Sequence, residues 1–221
     1  MCQITYYFYS ASRIKDSENI IYSVPTGNFG DILAGYISKK MGLDFKKLNI
    51  ATNENNILDR TLRSGDHSIK GVVSTTSPSI DIQISSNFER LVYDSCKDSQ
   101  YIRKIMNSLK KEGSFNLSEK SRSYITNYFS SDSATEEEVN DIILQYYTDY
   151  NITLDPHTAV GVACGKKQSI ANDILVTLST AHPAKFKETV SKIISNDSFI
   201  TEKVRNLDTM EENMMIANNN V

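Results

Sequence analysis

The sequence predicts an α/β fold in which helices flank a parallel sheet, because short apolar runs alternate with segments of helical period. Residues 19–24 form a β-branched run. A glycine-containing turn then leads into a segment with one apolar helix face, which ends near Gly42. Residues 47–52 supply the next predicted strand. This order predicts a β-α-β unit with a right-handed crossover and two parallel strands.

The segment after this unit predicts further short elements of an α/β region that covers residues 1–98. Residues 56–64 have their apolar side chains on one side and predict a short helix. Residues 71–74 predict a brief strand, and residues 81–93 predict a second helix. The polar turn between them, residues 75–79, has the composition of a loop that could face a ligand.

Residues 99–150 are charged and poor in glycine, and they predict a helical insertion. Thr135 and Glu138 have the spacing of a capping box, which marks the start of one of its helices. We interpret this block as structural.

Residues 151–205 predict a return to α/β order. Asp155 is placed as a helix N-cap before Pro156, and the small residues that follow favour close packing against a sheet. Residues 174–178 predict a strand, and Pro183 predicts the start of a last helix. Residues 206–221 are rich in Asn and Glu and predict a peripheral tail.

Composition excludes several classes of function. The formal net charge is -3 and the basic residues are scattered, which argues against nucleic-acid binding. The apolar stretches are shorter than the ~20 residues that span a bilayer, so we expect no membrane segment. The cysteines are too far apart in sequence to suggest a disulfide framework or a zinc site, and a reducing cytoplasm is expected: Cys2, Cys96 and Cys164.

The clearest candidate site is the turn at residues 25–31, Pro-Thr-Gly-Asn-Phe-Gly-Asp. A strand, a turn and a helix start in succession present free backbone N–H groups at the positive end of a helix dipole, which suits a phosphate. Gly27 and Gly30 are expected to adopt positive φ or to allow close backbone approach, and Asn28 is expected to add a donor. A Walker lysine and GxGxxG spacing are both missing, so a nucleoside triphosphatase is disfavoured. A mere tight turn remains the alternative.

Residues 23–36 resemble the phosphate loop of threonine synthases, which are fold-type II pyridoxal-phosphate enzymes. The resemblance continues in order through most of the chain, at residues 50–58, 75–82, 85–90, 154–161 and 178–186. It implies a partial fold-type II enzyme of the tryptophan synthase β-like class, with pyridoxal 5′-phosphate as cofactor. The implied reaction converts O-phospho-L-homoserine and water to L-threonine and phosphate.

The resemblance also implies roles for individual residues. The residues implied to bind the cofactor phosphate are Gly27, Asn28, Phe29, Gly30 and Asp31. Thr180, beside Ser179, is implied to face the pyridine nitrogen, where a neutral hydroxyl is expected to leave that nitrogen largely unprotonated. Helix capping is the alternative role for both. The residues proposed to contact a substrate phosphate, with a solvated helix face as the alternative, are Ser85, Asn87 and Arg90.

Nothing in the chain resembles the segment around the Schiff-base lysine of the family, and Lys185 does not correspond to it. The aromatic start at residues 3–9 is interpreted as the interior of a helix, with an edge strand or a partner-binding arm as alternatives. We therefore expect the C-terminal part of the enzyme, which is inactive alone and depends on a complementary N-terminal fragment. Alone, it is expected to be marginally stable, to aggregate readily and to bind the cofactor more weakly. The open alternatives are a non-catalytic remnant or binding module, a related phospho-lyase of phosphorylated hydroxy amino acids, and a flavodoxin-like module.

Overall fold

The computed structural model describes residues 2–217 and shows an α/β fold with six strands. The strands are β1 (Ile20–Pro25), β2 (Lys47–Thr52), β3 (Asp66–Ser68), β4 (Ser114–Asn116), β5 (Phe129–Ser133) and β6 (Ile174–Thr177). The α-helices in the described part of the chain are α1 (Ile4–Ser12), α2 (Gly30–Lys40), α3 (Ile57–Ser64), α4 (Phe88–Cys96), α5 (Ser99–Glu112), α6 (Glu119–Tyr128), α7 (Glu136–Tyr150), α8 (Pro156–Gln168), α9 (Lys187–Ile194) and α10 (Glu202–Arg205). The predicted fold class, a parallel sheet flanked by helices, is confirmed.

The main sheet has four parallel strands in the order β5-β2-β1-β6. The chain leaves β1 through α2 and returns at β2 on one side, whereas β6 lies against the other side of β1. The gap beyond the carboxyl ends of β1 and β6 is therefore a topological switch point, where open α/β sheets bind their ligands. β3 and β4 form a separate antiparallel pair.

The two faces of the sheet bury separate apolar clusters. Tyr22 and Val24 of β1 belong to the cluster that includes residues from α1 to α6. Ser23, between them in sequence, donates through Oγ to the carbonyl of Gly161 in α8, at 2.6 Å. This alternation is the period of two that a strand between two helical layers requires.

α8 packs against the sheet at close range because glycine occupies its contact positions. A Cβ built on Gly161 would lie 2.7 Å from Thr177 Cγ2, and one on Gly165 would lie 2.6 Å from Leu175 Cδ1. The predicted close-packing helix is confirmed, and α8 fixes β1 relative to β6 at the site end of the sheet.

Several sequence predictions fit the structure. The predicted strands at residues 19–24, 47–52 and 174–178 match β1, β2 and β6 to within one residue at each end. Thr135 and Glu138 form both bonds of the capping box, and Asp155 caps α8 by accepting from two backbone N–H groups.

Other predictions at the level of single elements are wrong. Residues 71–74 form no strand, because the Val73 N–H donates to the Asn55 side chain instead of a neighbouring strand. Residues 81–87 are not helical, since a 3₁₀ turn at Pro78–Ile80 precedes α4. The block 99–150 is not purely helical, because β4 and β5 interrupt it and β5 joins the main sheet.

The chain also differs from prediction after Pro183. A 3₁₀ turn at Pro183–Phe186 precedes α9, so Pro183 does not open an α-helix directly, and α10 follows as a further helix. The predicted tail begins with a 3₁₀ turn at Asn206–Thr209, and the side chains described between residues 209 and 217 are exposed. Residues 218–221 of that tail lie outside the described residues. The boundaries at 98, 150 and 205 remain predictions.

No helix within residues 2–217 is both long enough and apolar enough to cross a membrane. The same residues contain no cluster of His, Cys, Asp and Glu side chains that could hold a metal ion.

Candidate functional site

A cleft of about 410 Å³ opens at the carboxyl ends of β1 and β6, at the switch point of the sheet. It receives residues from four separated parts of the chain: the start of α1, the turn after β1, the loop before α4, and the segment around α8 and β6. The residues on which its chemistry depends are Gly27, Asn28, Asp31, Ser79, His157 and Thr180. The cleft therefore unites the predicted phosphate turn with the predicted hydroxyl site.

The turn after β1 forms the amino-terminal end of α2. Asn28 Oδ1 accepts from the Gly30 N–H at 2.8 Å, which fixes the turn. Within residues 2–217, the N–H groups of Asn28, Phe29 and Asp31 have no protein acceptor. These donors at the positive end of the α2 dipole form a place for an anion, and we call residues 27–31 the phosphate cup.

The backbone of the cup differs from the expectation for its glycines. The residue with positive φ is Phe29, at φ 67, and neither Gly27 nor Gly30 is in that region. The burial of the Phe29 side chain, which is 1% exposed and packs edge-to-face on Phe88, holds this conformation. The predicted positive φ at the glycines is therefore wrong.

Gly27 serves the predicted close approach. A Cβ at this position would overlap the carbonyl oxygen of Ser79. Ser85 Oγ donates to the Gly27 carbonyl at 2.5 Å, and Asn87 donates to the Asn28 carbonyl through its backbone N–H at 3.1 Å and through Nδ2 at 2.9 Å. The loop before α4 thus holds the carbonyls of the cup, and the cup's free N–H groups remain available.

A buried amide network positions the loop that supplies Ser79. Asn53, at the carboxyl end of β2, donates through Nδ2 to Thr75 Oγ1 at 2.8 Å and to Asp81 Oδ1 at 2.7 Å. Asn55 Nδ2 also donates to Asp81 Oδ1, at 2.9 Å. Because Asn53 and Asn55 are almost fully buried, their bonds are costly to break, and the loop has one preferred position.

The opposite end of the cleft contains a carboxylate beneath a hydroxyl. Thr180 Oγ1 lies 3.2 Å from Asp155 Oδ1, and the Thr180 N–H donates to Thr158 Oγ1 at 3.1 Å. His157 Nε2 accepts from the Ser79 N–H at 3.1 Å, so the ring proton is on Nδ1, which lies 3.2 Å from Asp155 Oδ1. One carboxylate therefore connects α8, the end of β6 and, through His157, the loop near the cup.

Asp155 is only 1% exposed. Burial alone would raise the pKa of its carboxyl, but the hydrogen bonds from His157 and Thr158 outweigh burial and hold the pKa below its ordinary value. The side chain is therefore a carboxylate at neutral pH.

Asp31 brings a second carboxylate to the cleft, at the first turn of α2. Burial raises the pKa of this carboxyl, and the hydrogen bond from the Tyr7 hydroxyl, at 3.3 Å, opposes that rise. The Tyr7 hydroxyl also lies 3.0 Å from the Asp31 carbonyl oxygen. The Asp31 side chain thus joins α1 to the cup, and its backbone N–H is the part suited to an anion.

Arg90 lies in a neighbouring cleft of about 350 Å³, which shares Gln3 and Asn28 with the first cleft. Its side chain is exposed, and it forms no ion pair with the described residues. A cation therefore lies in the cleft that adjoins the cup.

The sequence identified the cup and Thr180, and the structure brings them into one cleft. The structure gives Ser85 and Asn87 contacts to the cup's carbonyls, whereas Arg90 is open to solvent. Sequence reasoning missed Asp155 and His157 as site residues: it predicted the first only as a helix cap and gave the second no role. The Asp-Pro-His-Thr run contains only a capping signal, and the contact with Thr180 spans 25 residues.

Comparisons with known proteins show the family of the chain. A family model described as "Threonine synthase, C-terminal" matches residues 158–221. The chain is 41% identical to the threonine synthase of Saccharomyces cerevisiae, over 97% of this chain and 47% of that protein. The chain belongs to the threonine synthase family. The predicted resemblance is thus confirmed.

Solved structures of threonine synthases show the same fold. The pyridoxal-phosphate-bound enzyme from Brucella melitensis matches with a TM-score of 0.90 and 42% identity, over 95% of this chain and 46% of that chain. The yeast enzyme matches with a TM-score of 0.88 and 39% identity, over 95% and 47%. The chain spans about half the length of the curated relatives it matches, and it corresponds to their C-terminal half.

Proposed function

We propose that this chain is the C-terminal part of a cytoplasmic, pyridoxal-phosphate-dependent threonine synthase, which converts O-phospho-L-homoserine and water to L-threonine and phosphate. The observation that carries the proposal is the meeting of the phosphate cup and the Thr180 hydroxyl in one cleft, at the switch point of the sheet. The Brucella melitensis enzyme, which is similar to 95% of the present chain, is bound to pyridoxal phosphate in its crystal structure.

The residues present fit this cofactor at two ends. The free N–H groups of the cup suit the phosphate, and the absence of a side chain at Gly27 leaves room for the Ser79 loop beside it. The Thr180 hydroxyl suits a ring nitrogen, because a hydroxyl can both donate and accept. When bound, pyridoxal phosphate supplies an electron sink for the amino acid joined to it.

The chain's own residues bind and orient. The cup anchors the phosphate end, and Ser85 and Asn87 prevent its carbonyls from turning towards that anion. Arg90, in the adjoining cleft, is the cation we assign to the substrate's phosphate, since a guanidinium binds phosphate by two parallel hydrogen bonds. Among the described residues, none but Lys185 brings an ammonium group to the main cleft, and it does not correspond to the family's cofactor-linking lysine.

We assign that lysine to a complementary N-terminal polypeptide. α1 exposes Tyr6 by 52% and Tyr9 by 64%, and Tyr6 lines the cleft. β6 is an edge strand whose residues are all only partly buried. Exposed aromatic residues beside a half-covered strand end form a surface suited to a second chain segment that would close the cleft.

The test is a reconstitution. The chain would be mixed with the separately produced N-terminal half of the Saccharomyces cerevisiae relative, pyridoxal phosphate and O-phospho-L-homoserine. We expect neither polypeptide alone to form threonine, and the mixture to form threonine and phosphate in equal amounts. In the same mixture, the Arg90→Gln variant of the chain should have a higher KM for the phosphorylated substrate and unchanged cofactor binding.

Two results would contradict the proposal. A complex that forms and binds the cofactor but releases no phosphate would support the non-catalytic binding module. Release of phosphate without threonine would support the related phospho-lyase.

A further inference from the structure

The Thr180 hydroxyl has one proton, and its hydrogen-bond partners among the described residues are all oxygen atoms. Asp155 Oδ1 and Oδ2 lie at 3.2 and 3.4 Å from Oγ1, and Thr158 Oγ1 lies at 3.4 Å. The Thr158 hydroxyl donates its own proton to Asp155 Oδ2 and accepts from the Thr180 N–H. Thr158 Oγ1 therefore has no proton to give to Thr180.

Asp155 receives donors from several directions. The N–H groups of His157, Thr158 and Ala181 lie at 3.0, 3.4 and 3.4 Å from its oxygens. The Nδ1–H of His157 adds another donor, because the bond from the Ser79 N–H keeps Nε2 unprotonated. A protonated carboxyl would direct a hydrogen at one of these donors, so the ionised form is favoured.

The orientation of the Thr180 hydroxyl follows from this charge. If its proton pointed into the cleft, its lone pairs would face a buried carboxylate at 3.2 Å with no proton between the oxygens. The proton therefore points to Asp155, and a lone pair points towards the cleft.

We propose that Asp155 is a positioning residue that makes the Thr180 hydroxyl an acceptor towards the cleft, so that the site selects a heteroaromatic ring with a protonated nitrogen. The inference deepens the proposed function and rests on it. It reverses the sequence-based expectation that a neutral hydroxyl leaves the ring nitrogen unprotonated. Asp155 supplies a negative charge one hydroxyl away, and this charge stabilises a pyridinium without direct contact.

Other charged groups bear on the same cleft. His157 is in contact with Asp155 and accepts the Ser79 N–H through Nε2, Asp31 lies at the cup end, and Lys185 lines the cleft near Phe186. Among the described residues, Asp155 is the charged group that contacts Thr180 Oγ1, so its charge has the largest effect on a ring bound at that hydroxyl.

The experiment uses the chain in complex with the N-terminal half of the Saccharomyces cerevisiae relative. The probe is 4-deoxypyridoxine 5′-phosphate with a nitrogen-15 label in the ring, a cofactor analogue that lacks the aldehyde and forms no bond with a lysine. The ring-nitrogen chemical shift of the bound ligand would be followed as a function of pH, together with Kd. In the unchanged chain and in Thr180→Ser, we expect the bound nitrogen to stay protonated at least about one pH unit higher than in the free ligand. Such a shift corresponds to an approximately tenfold preference for the protonated ring.

Two variants should remove this shift. Asp155→Asn is isosteric and retains a capping oxygen for α8, so the helix start is kept while the charge is removed. Thr180→Val removes the hydroxyl at an exposed position, where folding tolerates the change. Circular dichroism would verify the fold of both.

A bound ring nitrogen that titrates as in free solution would overturn the inference and leave the proposed cofactor site intact. A ring-nitrogen pKa that stays raised in Asp155→Asn would also overturn the inference. Failure of the complex of the unchanged chain with the N-terminal half to bind the ligand would overturn the proposed function, and the inference with it.

Discussion

Replacement of Gly27 by alanine tests the close approach that shapes the phosphate cup. A Cβ at this position would overlap the Ser79 carbonyl, a backbone atom that cannot rotate away. The Ser79 loop cannot withdraw easily, because the Asn53 network holds it from β2. Overpacking of this kind costs about 1–3 kcal/mol, and we expect a loss of stability within that range.

Gly30→Ala is the matched control in the same turn. A Cβ there would lie 3.0 Å from Asn28 Oδ1, a side-chain atom that needs to shift by only a few tenths of an ångström, and at ordinary contact distance from Asn87 Nδ2. Neither glycine has positive φ, so backbone strain does not distinguish the two substitutions. Alanine in the first turn of α2 also favours the helix, so we expect a change in stability of less than about 1 kcal/mol.

The assay is thermal unfolding of both variants and of the unchanged chain, with and without inorganic phosphate. A ligand that binds only the folded state stabilises it by RT ln(1 + [L]/Kd), so phosphate should raise the Tm of the unchanged chain. Gly27→Ala should lower the Tm and reduce the phosphate effect more than Gly30→Ala does. Equal behaviour of the two variants would refute the assignment of Gly27 to the cup.

Three further predictions concern charge and exposed surface. Burial lowers the pKa of His67 to about 4 from 6.5, so the unfolded chain binds a proton first as pH falls. The free energy of unfolding should therefore drop by about 3 kcal/mol between pH 6.5 and 4. Urea unfolding over this range should show the decrease, and His67→Phe should remove most of it. Burial raises the pKa of Asp31, so the folded chain holds the proton more tightly than the unfolded chain. The free energy of unfolding should therefore fall as pH rises through the weakly acidic range above the ordinary pKa of 3.8. Asp31→Asn, measured in the same way, should lack this fall. Tyr9 is 64% exposed on α1, so Tyr9→Ser should reduce self-association of the chain in analytical ultracentrifugation and should weaken its complex with the N-terminal half. If neither self-association nor the complex is weakened, α1 is not the docking surface.

The parts of the fold that local sequence determines were predictable. β1 is rich in β-branched residues, β2 follows closely after Gly42, just beyond the end of α2, and the turn between β1 and α2 contains its glycines within a few residues. The capping box of α7 and the N-cap of α8 also depend on residues at fixed short spacing. Resemblance to a family then extended these local signals to the end of the chain.

The parts that long-range contacts determine were not predictable. β5 has the sequence Phe-Ser-Ser-Asp-Ser, which has no strand pattern, and it is held by β2 and by the bond from Ser131 Oγ to Asp59 Oδ1, at 2.7 Å. The positive φ of Phe29 depends on packing against Phe88, which lies in another element. The Asp155 carboxylate beneath Thr180 likewise exists only because α8 packs across the end of β6.

A crystal structure of the chain with 4-deoxypyridoxine 5′-phosphate tests the central claim most directly. We predict that the phosphate accepts hydrogen bonds from the N–H groups of the cup and that the ring nitrogen lies within hydrogen-bond distance of Thr180 Oγ1. A phosphate bound outside residues 27–31, or a ring nitrogen that faces away from Thr180, would contradict the claim.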